Sequence, residues 1–387
     1  MVDGQRRRLG LALVTGAAVS NGITYADHAP LIPLIAAELG LTDLQIGLLS
    51  TALFLLSLAV GLSTSGLADR IGPNRTVLAG IALSLAGSVV LALAPSYGWL
   101  LAGKAVQGVG SGITFVAGAR YVAGLYAGSR SHLGLGLYGA GYPLGSTVAL
   151  LVLPSVATLG FGWRGALVAS SAAIAAITLA WLAAPHVERV AQPGTIRDAF
   201  RSGNAWLIAL QHCAGFGLAI ASGTWISVYL LREFALPLAL SGLLGSLLLL
   251  VTVLARPFGG WLLSRDHVPT RHLMRAGTLT VIAGVALLAV PGRPLAVAVA
   301  GALVLGAGVG LPYSAVFNTA AASVRRAPGS GQALAAAGGT AGVMLGAPAM
   351  GYAVQTWGFW AAWTFVGLVA AIALAGTAFL RGEEELL

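Results

Sequence analysis

Apolar runs about 20 residues long recur along the whole chain with only short polar breaks between them, and this restricts the fold more than any other feature. A helix needs roughly 20 apolar residues to cross a bilayer, and in lipid every backbone amide must be satisfied within the protein. Twelve such runs are read at 9–36, 43–66, 76–94, 98–126, 133–157, 163–185, 204–231, 238–263, 272–290, 295–322, 330–355 and 358–380. Only 9% of the residues are charged and 57% are hydrophobic, whereas soluble domains carry roughly 25% charge. The expectation is an all-α polytopic membrane protein that leaves no room for a separate soluble domain. Met1 to Arg8 is basic, but the run after it lacks a small-residue cleavage site and is longer than a signal-peptide core, so it reads as a retained first helix.

The net charge of +9 is spread singly between apolar spans, with no basic patch or interleaved aromatics to hold nucleic acid. Its distribution is topological. With the N-terminus inside, fifteen of the 21 basic residues fall in cytoplasmic segments, while Arg164, Arg232 and Arg293 fall outside. That bias places both termini in the cytoplasm. The longest polar interval divides the chain into an N-terminal six-helix half (1–185), a cytoplasmic linker (186–203) and a C-terminal six-helix half (204–387). Weak internal repetition agrees: the Gly108, Gly110, Gly112, Phe115 run of the fourth span recurs as Gly306, Gly308, Gly310, Tyr313 in the tenth. Cys213 is the only cysteine, which removes a disulfide framework and a Cys-based metal site.

Between the second and third spans the chain reads Gly66-Leu67-Ala68-Asp69-Arg70-Ile71-Gly72-Pro73-Asn74-Arg75. By its residues this is either a solvated turn with positive-inside arginines or a latch that holds one conformation. Its pattern closely resembles the loop between helices 2 and 3 of the major facilitator superfamily. Leu101-Ala102-Gly103-Lys104-Ala105-Val106-Gln107-Gly108 resembles that family's helix 4 motif, with lysine where arginine is usual. Gly141, Pro143 and Gly145 are similar to its helix 5 antiporter motif, with Tyr142 inserted, and Gly162-Trp163-Arg164 matches the start of its helix 6. The resemblance implies two pseudo-symmetric six-helix bundles and alternating access by a monomer in a bacterial inner membrane. It also implies a conformational switch built from Gly66, Asp69, Arg70, Gly72, Arg75 and Arg120.

A charge near the bilayer centre costs about 2.5–3.5 kcal/mol on insertion scales, so it faces a cavity or a partner. Asp27 reads as the only carboxylate well inside a helix. It is either a proton carrier, assisted by His28 and by His212 of the seventh span, or half of a permanent ion pair near backbone loosened by Pro30 and Pro33. Arg256 in the eighth span either snorkels or binds an anionic solute bidentately. Its Arg-Pro-x-Gly-Gly setting resembles nitrate/nitrite and organic-anion porters, but Leu62 stands where nitrate porters place a second arginine. Lys104, the only lysine, snorkels or faces the cavity. Tyr25, Gln211, Trp225, Tyr313 and Asn318 complete the expected substrate contacts, because the resemblance puts their spans around a central cavity. Tyr229 reads as an interfacial anchor.

No Gly-x-x-x-x-Gly-Lys-Ser/Thr loop, paired-His ligand set or nucleophile elbow occurs in the sequence, so neither an ATP motor, a metal, a cofactor nor an enzymatic reaction is expected. The expected partners are protons, a small solute and the lipid bilayer. The leading reading is proton-coupled transport of a small anion. Proton-antiport efflux of lipophilic compounds is its rival within the family, and a membrane receptor or sensor is the rival outside transport.

Overall fold

The computed structural model describes residues 4–63, 71–126, 132–188, 196–264 and 268–386. They form α1 (Gly4–Ala26), α2 (Ile32–Leu39), α3 (Asp43–Ser63), α4 (Pro73–Ala92), α5 (Tyr97–Leu125), α6 (His132–Val156) and α7 (Gly162–Trp181). There follow α8 (Ile196–Phe200), α9 (Gly203–His212), α10 (Leu218–Phe234), α11 (Leu238–Ser264), α12 (Thr270–Ala289) and α13 (Leu295–Gly310). The last four are α14 (Tyr313–Ala322), α15 (Pro328–Trp357), α16 (Phe359–Gly376) and α17 (Glu383–Leu386). No strand occurs among the described residues. Eleven stretches are long and apolar enough to cross a membrane, and one of them, Gly136–Trp181, has 46 residues. It takes in most of α6 and all of α7, which are separated by a turn containing Gly160 (φ +99°) and followed at once by Gly162 (φ +62°), both in left-handed backbone, so twelve spans remain consistent with the fold.

Two spans read as continuous helices are broken. In the first, α1 stops at Ala26, Ala29–Leu31 forms a 3-10 turn, and α2 begins at Ile32. Pro30 has no N–H to donate back to the preceding turn and disfavours helical backbone at Ala29, while Pro33 removes another donor. Asp27 therefore lies at a helix break and not well inside a helix. The tenth span divides likewise into α13 and α14 at Leu311 and Pro312. Pro143, Pro154, Pro257 and Pro348 are accommodated within longer helices.

The described chain forms two compact units. The first comprises Met1–Leu41, Leu48–Ala191 and Leu236–Ser246, and the second Thr42–Gly47, Gln192–Ala235 and Leu247–Leu387. Inside the first, α5 lies on its neighbours through missing side chains. A Cβ at Gly108 would strike the backbone of Leu53 in α3, one at Gly110 would sit 2.5 Å from Gly80 O in α4, and one at Gly112 would strike the backbone of Ser57. Inside the second, a Cβ at Gly306 would strike the Leu248 backbone of α11, one at Gly308 would lie 2.7 Å from Gly277 O of α12, and one at Gly310 2.7 Å from Thr252 O. The repeated glycine triplets thus make equivalent contacts. Apolar helices in lipid gain no hydrophobic drive from meeting each other, so close backbone approach supplies the packing.

Hydrogen bonds and ion pairs fasten other ends. In the first unit Glu38 accepts from Trp163 Nε1 at 2.7 Å and from Arg164 Nη1 at 2.5 Å, while Arg164 Nη2 also donates to Ala94 O at 3.0 Å. In the second, Arg232 takes both oxygens of Asp43 at 2.8 and 2.9 Å.

Gly110→Leu and Gly308→Leu are each expected to lower stability by about 1–3 kcal/mol, the usual cost of overpacking. Gly136→Ala, where an added Cβ meets nothing within 4 Å, leaves it unchanged. Thermal unfolding of detergent-purified protein measures this, and equal midpoints for all three variants would contradict the packing account.

Candidate functional site

A polar cluster lies inside the first unit at the break after α1. Asp27 and Lys104 are both 0% exposed. Lys104 Nζ, from α5, is 2.5 Å from Asp27 Oδ1 and donates to Thr24 O at 2.7 Å. Thr24 belongs to the last turn of α1, where carbonyls lack intrahelical donors, so the lysine serves the broken backbone as well as the carboxylate. Gln107 lies three residues further along α5, on the same face as Lys104. Its Nε2 donates to Asp27 Oδ2 at 2.8 Å and to Ser88 Oγ of α4 at 2.8 Å. His28 Nδ1 stands 3.7 Å from Asp27 Oδ1, and His28 Nε2 lies 3.4 Å from Ser50 Oγ of α3. Both carboxylate oxygens thereby have cationic or hydrogen-bonding partners. The Lys104 ammonium does not snorkel.

Tyr25 points elsewhere. Its hydroxyl is 2.9 Å from Ser111 Oγ, and its ring packs 4.7 Å from Phe54 and 5.9 Å from Tyr142. The Tyr142 hydroxyl meets that of Tyr138 at 2.7 Å, and Tyr138 donates to Thr114 O at 2.9 Å. This forms an aromatic wall beside the ion pair's helix. Gly141 and Gly145 of α6 receive α1 closely: a Cβ at Gly141 would lie 2.7 Å from Thr15 O, and one at Gly145 2.8 Å from Ile23 N. Between them, the Pro143 carbonyl accepts from Thr147 Oγ1 at 2.8 Å.

The second unit contains a different cluster. Arg256, 5% exposed, holds its guanidinium carbon 4.0 Å from the centroid of the Tyr313 ring. Tyr313 opens α14 directly after the Pro312 break, and Phe317 lies one turn later, 4.9 Å from it. His212 closes α9. Its ring stacks on Phe216 at 5.4 Å with 10° between planes, meets Phe317 edge-on at 5.0 Å, and lies 6.1 Å from Tyr313. The turn Cys213–Gly217 is π-helical, a wider turn of a kind that recurs at functional sites. A Cβ on Gly339 of α15 would lie 2.9 Å from His212 Nε2 and 3.1 Å from Phe216 Cδ1. Phe216, Tyr313, Phe317 and Asn318 are half-buried.

Other expected contacts of this unit are engaged in holding helices together. Gln211 donates to Ala373 O of α16, and its Oε1 accepts from Thr278 Oγ1 of α12 at 3.0 Å. Trp225 is fully enclosed and donates to Ala347 O of α15 at 3.0 Å. Tyr229 corrects the sequence reading outright: it is 0% exposed, hydrogen-bonded by Arg293 and ringed by Phe234, Phe359 and Trp363. A fully enclosed phenol packs against protein and not against lipid headgroups.

Gly66, Asp69 and Arg70 lie outside the described residues. Gly72 adopts φ +86°, which favours glycine, and caps α4. Arg75 is exposed and Arg120 half-buried. Gly72 and Arg75 line a cavity of about 480 Å³ together with Asn74, His186 and Glu188. Asn74 clamps the segment after α7: its Nδ2 donates to Ala184 O and Pro185 O, and its Oδ1 accepts from Val187 N at 3.1 Å.

Gln107, Ser88, Phe216 and Phe317 were missed as site residues. Gln107 was legible in the helix 4 motif, and Phe216 and Phe317 stand four residues after His212 and Tyr313, one helical turn on. Ser88 carried no signal of its own.

A family model described as Major Facilitator Superfamily matches residues 13–331 and 207–386. A nitrite extrusion protein of Bacillus subtilis is 25% identical over 278 residues, covering 70% of this chain and 68% of that one. A probable nitrate/nitrite transporter of Mycobacterium tuberculosis is 27% identical over 287 residues, 72% and 71% of the two chains. Among solved structures, a bacterial homolog of the human lysosomal transporter Spinster, in an inward-facing and unoccupied conformation, superposes with a TM-score of 0.78. It shares 16% identity and covers 98% of this chain and 97% of that one, a likeness of fold.

Removing one partner of a buried ion pair strands the other, at about 3–5 kcal/mol, whereas neutralising both is much cheaper. Asp27→Asn and Lys104→Gln alone are therefore expected to lower the thermal midpoint more than the double substitution does. A double variant less stable than either single one would contradict the pairing.

Proposed function

The chain belongs to the Major Facilitator Superfamily, and from that premise we propose a proton-coupled secondary active transporter that moves a small anionic solute by rocker-switch alternating access. It is a multi-pass membrane protein whose relatives and fold are those of transporters and not of enzymes. The bias of basic residues supports cytoplasmic termini in a bacterial inner membrane. The split into six-helix halves at 186–203 is part of the same reading.

The observation that carries the coupling is the enclosed Asp27–Lys104 pair. While the two are in contact the site is neutral and dry. Drawing Lys104 away leaves a buried carboxylate without its cation, held by Gln107 beside His28, where burial makes the protonated form the cheaper one. Re-forming the contact expels that proton, so alternation between the two arrangements on opposite faces couples proton movement to the cycle. His28, beside Asp27, is the neighbouring acceptor, and Gln107 holds the second carboxylate oxygen.

Arg256 is the anion ligand in this reading. A buried guanidinium with five N–H donors matches an oxyanion or carboxylate bidentately. The names of the relatives, for nitrite and nitrate, support an anion, although Leu62 at the position noted above argues against assigning nitrate itself. The loop from Gly66 to Arg75 governs the switch between states without touching solute.

Sealed proteoliposomes with an internal pH indicator, given small carboxylates, inorganic anions or lipophilic cations, test this. Only anions are expected to drive proton movement, and Arg256→Gln is expected to remove the response. Equal responses to lipophilic cations in both proteins would replace the anion reading with efflux.

A further inference from the structure

The end of the second unit at which α9 begins collects arginines from three separate stretches of chain. We infer that this face docks anionic phospholipid headgroups, with Arg197, Arg201, Arg325, Arg326 and Arg381 as the phosphate-binding groups. The inference is independent of the solute and concerns the bilayer in which the unit sits.

Hydrogen bonds bring the three stretches together. Ser202 caps α9, accepting from Ala205 N, and its hydroxyl donates to Ser323 O at 3.2 Å. Asn204 Nδ2 donates to Ser323 Oγ at 2.7 Å and to Arg381 O at 3.1 Å, while its Oδ1 accepts from Arg381 N at 2.8 Å. Arg201 directly precedes Ser202, and Arg325 and Arg326 follow closely on Ser323. Apolar packing seals the same knot, because Ala199, Ala205, Val324, Ala327 and Leu334 form one buried cluster. Leu380, 1% exposed, fixes the backbone beside Arg381. Residues that stand far apart in sequence thus become a patch only in the folded unit.

The charge of that patch is unspent. All five arginines are exposed, and none has a carboxylate partner among the described residues. Elsewhere the pattern differs: Arg232 takes both oxygens of Asp43, and Arg164 is paired with Glu38. The acidic residues after Arg381 are drawn to another helix, since Glu384 accepts from Thr270 and Glu385 lies 3.4 Å from Arg271. Asp198 of α8 is half-buried. Clusters of roughly four to eight basic residues at the end of a span attract anionic lipid, and guanidinium groups match phosphate oxygens bidentately.

Exposed rings at the same end choose a lipid over a soluble anion. Phe200 and Trp206 are 48% and 51% exposed and stack at 5.6 Å with 24° between planes, Trp206 Nε1 donating to Phe200 O at 3.2 Å. Phe379, two residues before Arg381, is 80% exposed. Amphipathic rings of this kind settle at the level where headgroups meet acyl chains, so the guanidinium groups beside them stand at the height of the phosphates. On the orientation proposed above, the leaflet is the inner one.

Native mass spectrometry of the purified protein in neutral detergent, titrated with phosphatidylglycerol or phosphatidylcholine, tests the dock. Phosphatidylglycerol is expected to bind at least tenfold more tightly, by a margin that shrinks as salt is raised. Two variants, Arg201→Gln with Arg326→Gln and Arg325→Gln with Arg326→Gln, change only exposed side chains. Both are expected to keep their thermal midpoints in phosphatidylcholine micelles while the preference falls below threefold. Arg6→Gln with Arg8→Gln removes the same charge from exposed positions of the first unit and is expected to leave the preference at tenfold or more. Equal binding of the two lipids, or a preference untouched in both dock variants, would overturn the inference. So would an equal loss in the Arg6 and Arg8 variant, the mark of a diffuse response to net charge, or displacement of the lipid by an equal concentration of free glycerol phosphate, the mark of a site for soluble anions.

Discussion

An ammonium and a carboxylate enclosed without any exposure must answer each other, because nothing else in an apolar interior can neutralise either charge. The contact between Lys104 and Asp27 is the constraint around which the first unit is arranged. Pro30 and Pro33 interrupt the first span, which sets Asp27 at a break and leaves the Thr24 carbonyl needing a donor. One lysine from α5 satisfies both. Gln107 and Ser88 then tie the carboxylate to α4, and Ser50 reaches His28 from α3. A site of this kind is rigid while paired and becomes chemically different as soon as the pair separates.

The scaffold repeats, but the chemistry does not. Gly108, Gly110 and Gly112 in the first unit and Gly306, Gly308 and Gly310 in the second make equivalent approaches to neighbouring helices. Counting four residues back from Gly108 reaches Lys104, and four back from Gly306 reaches Ala302, which is buried among apolar neighbours. Likewise Arg256 stands four residues after Thr252, against which Gly310 packs, while the residue four after Ser57, against which Gly112 packs, is Gly61. Each unit therefore carries a cation that the other lacks. The proposed division of labour, protons in one unit and solute in the other, follows from that asymmetry on a shared frame.

Spans and repeat were largely legible in the residues, because lipid leaves so few choices: apolar length dictates helices, and the glycine triplets mark where backbones meet. Asp27, His28, Lys104, His212, Arg256 and Tyr313 stood out as polar or charged groups where such groups are costly. Their grouping was not legible. Nothing in spacing alone brings Lys104 to Asp27, 77 positions apart along the chain, nor turns Gln211 and Trp225 toward Ala373 and Ala347. The prolines were visible, yet whether each would break its helix, as Pro30 and Pro312 do, or be accommodated, as Pro257 is, depends on tertiary neighbours able to take the freed carbonyls.

The central claim is that the Asp27–Lys104 contact couples solute movement to protons. The neutral double variant Asp27→Asn with Lys104→Gln, which leaves no stranded charge, isolates that role in proteoliposomes loaded with a transported anion. The account predicts that solute counterflow persists in this variant while accumulation driven by an imposed pH gradient disappears. Gradient-driven accumulation equal to that of the unaltered protein would contradict it.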